Sequence, residues 1–176
     1  MPFKTEQQLF EVAIASPFIQ NMVDSLVYTT YACIEPQGLF GIPDLLVANI
    51  KFDPNEAKIY RSFAFEMKLS NWRRALIQAY RYLSFANYAF VVIDRSSQKP
   101  AVEHINEFAL SNIGLISVDN SGFFTLHFYP KFNQPYSYDM ECKLKRLLLR
   151  ERDDKLKQRL DVRNWSRTTS RYEKLF

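Results

Sequence analysis

Lys58-Ile59-Tyr60-Arg61-Ser62-Phe63-Ala64-Phe65-Glu66-Met67-Lys68 is the stretch from which the fold is read. It alternates as a half-buried strand does, with Ile59, Phe63, Phe65 and Met67 on one face and Tyr60, Ser62, Ala64, Glu66 and Lys68 on the other. Glu66 and Lys68 are therefore expected to point the same way. Upstream, Asp44-Leu45-Leu46-Val47-Ala48-Asn49-Ile50 reads as a second strand, and Asp53-Pro54-Asn55-Glu56 supplies turn chemistry between the two. The pair reads as an antiparallel hairpin. With the turn centred near Asn55, position 44 faces position 66, because equal numbers of residues separate each from the centre. Opposed residues on antiparallel strands share a face, with Cβ atoms about 4.5–5.5 Å apart.

Spacing thus brings Asp44, Glu66 and Lys68 to one end of a hairpin. Carboxylates this close repel and call for a counter-ion. Mg²⁺ takes hard oxygen ligands and keeps several waters, so one or two carboxylates plus a substrate phosphate are enough to hold it. A lysine beside such an ion can orient the attacking water or stabilise negative charge developing on phosphorus oxygens. The expected chemistry is phosphodiester hydrolysis. The rival account is a surface hairpin with an ordinary Glu/Lys pair.

The pattern resembles the PD-(D/E)xK nuclease superfamily, whose signature stands here as Pro43-Asp44 and Glu66-Met67-Lys68. Members of that superfamily often carry a glutamate on the first helix and a glutamine on the helix after the lysine strand, and Glu6 and Gln78 stand at matching places. The similarity spans about residues 5–130. It implies a restriction-endonuclease-like fold and Mg²⁺-dependent cleavage, with Mn²⁺ as a substitute, of DNA rather than RNA by an endo- or exodeoxyribonuclease. On this reading Asp44 and Glu66 hold the metal, with the Met67 carbonyl as a further ligand. Lys68 activates or orients water, while Gln78 and Glu6 complete the shell. The alternative is a non-cleaving nucleic-acid- or protein-binding module that keeps the fold.

The rest of the chain fits an α/β domain. Thr5-Glu6-Gln7-Gln8 has the form of a capping box opening a helix that Pro17 closes or kinks, with Leu9, Phe10 and Ala13 inward. Glu6 falls on that inward stripe and Glu11 to its side, so Glu6 is the preferred acid, with Glu11 or neither as alternatives. Leu26 to Ile34 is expected to be the first strand. Ser70 or Asn71 caps a helix whose apolar stripe is Trp72, Ala75, Leu76, Ala79 and Leu83. Arg74, Gln78 and Arg81 flank that stripe, where the arginines would hold phosphates or form a solvated face. Tyr88 to Ile93 is an apolar strand, Val102 to Leu110 a helix, and Ile113 to Val118 and Phe123 to Tyr129 are strands. Asp139 to about Val162 reads as one long helix. The expected order is αβββαβ around a central mixed sheet flanked by helices, then αββ and a basic helix.

The domain plan is a core over residues 1–135 and a basic helical extension over 136–176. Charge divides accordingly. Residues 1–138 hold 11 Lys/Arg against 12 Asp/Glu, whereas 139–176 hold 12 against 7, so the basic excess belongs to the C-terminal part. Such asymmetry suits contact with a polyanion, though a solvated helix would show it too. The N-terminus lacks the pattern of a secretory signal and no run of about 18 apolar residues exists, so a cytoplasmic protein without membrane contact is expected. Cutting both strands of a duplex at so small a site would need a homodimer or successive nicks. Four glycines, none in a GxxxxGK or GxGxxG arrangement, give no nucleotide cradle, and no GxSxG elbow occurs.

Overall fold

A computed structural model describes residues 2–53 and 56–153, with side chains at 52, 53, 56, 57 and 150–153 excepted. The expected turn residues Pro54 and Asn55, and the continuation of the C-terminal helix to Val162, lie outside the described residues. Among the described residues six strands form one mixed sheet in chain order: β1 (Thr29–Ile34), β2 (Leu45–Asp53), β3 (Glu56–Lys68), β4 (Tyr88–Asp94), β5 (Gly114–Val118) and β6 (Phe124–Phe128). β1, β2 and β3 are joined antiparallel, β3, β4 and β5 run parallel, and β6 returns antiparallel. The architecture is α/β.

Helices cover both faces. On one lie α1 (Glu6–Ala15) and α2 (Pro17–Val23), and on the other α3 (Trp72–Tyr82), α4 (Gln98–Glu103), α5 (Ile105–Ser111) and α6 (Tyr138–Asp153). Strand alternation divides the core between them. Leu45, Val47, Phe63, Phe65, Met67 and Val92 pack with Leu9 and Ile19 on the first side. Leu46, Ala48, Ala64, Val91 and Ile93 pack with Ala75, Ala79, Tyr82 and Phe108 on the second. Leu144, Leu147 and Leu148 of α6 belong to that second cluster, so the helix packs on the sheet.

Helix ends follow their side-chain chemistry. The Thr5 hydroxyl accepts from the Gln8 amide at 3.2 Å, and Ser16 ends α1 and caps α2, with Pro17 in the first turn where its missing N–H costs nothing. Asn71 caps α3 by accepting from the Arg74 amide at 3.2 Å. The apolar stripe of that helix is buried as expected.

Three elements differ from the sequence reading. β1 starts at Thr29 rather than Leu26, because the Ser25 hydroxyl accepts from the Val27 and Tyr28 amides and folds the chain into a turn. Leu26 and Val27 are left exposed. The helix expected over 102–110 is broken at His104, whose Nδ1 lies 2.8 Å from the Pro100 carbonyl that a continuous helix would give to the His104 amide. The third difference is a β-bulge in β3. Asn49 pairs with Arg61 but Ile50 pairs with Ile59, leaving Tyr60 as an extra residue. Side chains before the bulge change faces, so Ile59 packs with Ala64 instead of Phe63.

That bulge decides the register at the Asp44 end of the pair. Asp53 pairs with Glu56, so the pairing at that end is symmetric about a point half a residue before position 55, and a regular continuation would set position 44 opposite 65. Tyr60 restores the lost residue. Leu45 pairs with Phe65, and one step further the chain carries Asp44 alongside Glu66.

Candidate functional site

The site lies where β3 ends and β2 begins, on the sheet face covered by α3. Glu66 is buried, and its side chain has two partners: the Lys68 ammonium, 3.1 Å from Oε1, and the Tyr82 hydroxyl, which donates to Oε2. Asp44 accepts from the Met67 amide at 2.6 Å, a charge-assisted contact that fixes its carboxylate across the strand end. Lys68 also donates to the Met67 carbonyl and to Glu6 Oε2, each at 3.2 Å. Glu6 reaches the lysine from the first turn of α1. Glu11 instead accepts from Gln7 at 2.9 Å.

Three carboxylates around one ammonium leave a surplus of negative charge, and the electrostatics register it. Burial, with Glu66 close by, raises Asp44 from the usual carboxylate range to about 6, against the pull of the Met67 amide and Lys68. Burial works to lower Lys68, but Glu66, Asp44 and Glu6 outweigh it and raise the amine. The lysine is therefore a protonated donor at neutral pH. Tyr82 is raised by its burial, then by its bond to Glu66 and the charge there, so it keeps its phenolic proton.

Tyr82 is the residue of this cluster that pattern reading passes over. Its ring sits in the apolar core, 1% exposed, while its hydroxyl lies 3.1 Å from the Ile42 carbonyl as well as against Glu66. It ties the segment leading into Pro43-Asp44 to the opposite strand. One signal was available: Tyr82 stands one helical turn after Gln78, on the same side of α3.

The remaining expected residues are placed less centrally. Gln78 is half-buried, and its Oε1 is buried with no hydrogen-bond partner among the described residues. Arg74 and Arg81 are exposed on α3; no ion pair or hydrogen bond joins either side chain to the acidic cluster among the described residues. The Arg81 guanidinium instead sits 5.9 Å from the centre of the Phe40 ring. Both histidines lie elsewhere, His104 beside Trp72 and His127 against the Ser117 hydroxyl.

The donor set suits a hard divalent cation. Asp44, Glu66 and the Met67 carbonyl are all oxygen donors in a region short of positive charge. Among the described residues no cluster of three or more His, Cys, Asp or Glu forms a metal cage, so water or substrate oxygens would have to complete the coordination, as Mg²⁺ favours. Among the described residues no helix is long and apolar enough to cross a membrane. Compared with known proteins, the chain matches no family model, no curated protein and no solved structure.

Proposed function

We propose that the protein is a Mg²⁺-dependent nuclease of the PD-(D/E)xK kind with a restriction-endonuclease-like core, hydrolysing phosphodiester bonds of nucleic acid, DNA rather than RNA. The observation that carries this reading is the convergence of Asp44, Glu66 and Lys68 at one strand end, with Asp44 raised to about 6 by burial and by Glu66. A pair of carboxylates held together at this cost in a partly buried place is what a cation site requires. The run of elements from α1 through β4 supports the same fold.

Bound between Asp44, Glu66 and the Met67 carbonyl, Mg²⁺ would supply Lewis-acid polarisation of a phosphoryl oxygen. The chain's own groups do the rest. Hydrolysis forms a bond from water oxygen to phosphorus and breaks the bond to the leaving sugar oxygen, with the water proton passing through solvent to that oxygen. Lys68, protonated, donates to the non-bridging oxygens as their charge grows and orients the water without serving as its base. Glu6 holds the lysine in place from α1. Tyr82 fixes the rotamer of Glu66, and the Gln78 oxygen orients water. Arg74 and Arg81 hold flanking phosphates. Cutting both strands of a duplex requires a homodimer or two successive nicks.

One observation favours a second reading. Both Glu66 oxygens already have partners, Lys68 and Tyr82, and a structural core so neutralised would serve a non-cleaving binding module as well. Plasmid nicking with and without Mg²⁺ or Mn²⁺ separates the two. The wild-type protein is expected to nick only with the metal, and Lys68→Ala to bind DNA without cutting it. Equal nicking by both removes Lys68 from the chemistry, and failure of both to cut either the plasmid or a single-stranded circle favours the binding module.

A further inference from the structure

The segment from Glu35 to Ile42 carries features that the hydrolytic site does not use. Between it and α6 lies a groove of about 450 Å³, walled by Gln37, Gly38 and Leu39 on one side and by Lys143, Arg146 and Leu147 on the other. Lys143 and Arg146 stand three apart and share a helix face, and both are exposed. Neither is in an ion pair among the described residues, whereas the adjacent Lys145 holds Glu141 at 2.9 Å. Gly38 adopts φ +91°, and a Cβ there would meet nothing within 4 Å, so the loop backbone is open to close approach.

The same loop leads to the acidic cluster. Gly41, at φ +88°, lies so close to α3 that a Cβ would come within 2.9 Å of the Tyr82 ring. The next residue offers its carbonyl to the Tyr82 hydroxyl that also holds Glu66. In the chain between the groove residue Leu39 and Gly41 stands Phe40, 53% exposed, with the Arg81 guanidinium 5.9 Å from its ring centre. Paired cations, a glycine opening and then an exposed aromatic beside an arginine are what a polynucleotide strand with unstacked bases engages. Bases within a duplex present only their edges, and an aromatic face beside the strand would find nothing to stack on.

We propose that the Glu35–Ile42 loop and the groove against α6 form a track for a single-stranded polynucleotide, with Lys143 and Arg146 on its phosphates and Phe40 stacking on a base next to the hydrolytic site. This rests on the phosphodiesterase reading of Asp44, Glu66 and Lys68 and adds the form of the substrate.

Fluorescence anisotropy with a short labelled oligothymidylate, its oligouridylate counterpart and a blunt duplex of equal length tests it, with the full chain in EDTA so that nothing is cut. Single strands of either sugar are expected to bind about tenfold or more tightly than the duplex. Lys143→Glu with Arg146→Glu should lower the slope of log affinity against log salt by about 1.4, the value for two single-strand phosphate contacts. Lys143→Gln with Arg146→Gln should do the same without reversing charge. Phe40→Ala should weaken oligonucleotide binding about tenfold yet leave binding of inorganic polyphosphate unchanged. Equal or tighter duplex binding, or a salt slope unmoved by both double variants, overturns the track. A strand that is bound as expected, but never cut by the wild type in Mg²⁺, leaves the track supported and refutes the phosphodiesterase reading alone.

Discussion

Asp44 carries a cost that a metal-free protein cannot recover. Its carboxyl is raised to about 6 in the folded chain, above the value of about 3.9 expected when unfolded. Between those values the folded state holds the extra proton, so stability falls as pH rises from about 4 to 6 and stays reduced above it. Asp44→Asn removes the charge while its amide oxygen can still accept from Met67. The variant should match the wild type near pH 4 and exceed it by on the order of 2 kcal/mol at pH 7 without metal, read by urea unfolding. Mg²⁺ should stabilise the wild type and not the variant. A variant that is less stable at neutral pH would show that Asp44 is not held against its charge. Tyr82→Phe is the complementary test at Glu66. Losing the donor to a buried carboxylate should cost roughly 1.5–3 kcal/mol and lower the hydrolysis rate at fixed Mg²⁺, with circular dichroism checking that the fold persists.

Along β3 the informative feature is the bulge. A pairing centred on Asn55 opposes 44 to 66; the Asp53–Glu56 pairing is centred half a residue earlier, and Tyr60 makes up the difference. Alternation, caps and the apolar stripe of α3 were legible because they depend on residues within a turn or a strand pair of one another. The bulge was not, since nothing local distinguishes Tyr60 from a paired strand residue, and its stacking partner is Tyr28, with ring centres 3.7 Å apart. The same holds for the break at His104, set by a side chain competing for a backbone carbonyl. Closing the bulge provides a test. Deleting Tyr60 leaves Ile59 opposite Ile50 and Arg61 opposite Asn49, so every pairing up to Leu45 with Phe65 survives, and Asp44 stays beside Glu66. Deleting Ala64 instead forces residues between it and the bulge onto the wrong faces, Phe63 first. The first variant should stay folded and match the wild type in the plasmid assay. The second should lose its cooperative thermal transition.

At the scale of the molecule, charge and packing divide the chain differently. The basic excess begins near residue 139, within the extension expected over 136–176, and charge alone leaves open whether that helix packs on the core or on a partner. Most of that excess lies outside the described residues, since 154–176 hold seven Lys/Arg against three Asp/Glu. The described part of α6 joins the same apolar cluster as Tyr82, Leu46 and Ala64. The approach is tied down as well: Asn133 donates to the Leu83 and Ala86 carbonyls at 3.0 and 3.2 Å, and the Tyr136 amide to Leu83 at 3.3 Å. A helix that both closes the core and presents Lys143 and Arg146 on its outer face couples folding of the Asp44–Glu66–Lys68 cluster to assembly of the groove. Leu144, fully buried, separates these roles. Leu144→Ala should cost roughly 2–5 kcal/mol in urea unfolding, as for a core leucine, and should broaden the amide signals of α3 in the native state. A loss under about 0.5 kcal/mol, the range of surface positions, would mean that α6 contributes little to the core.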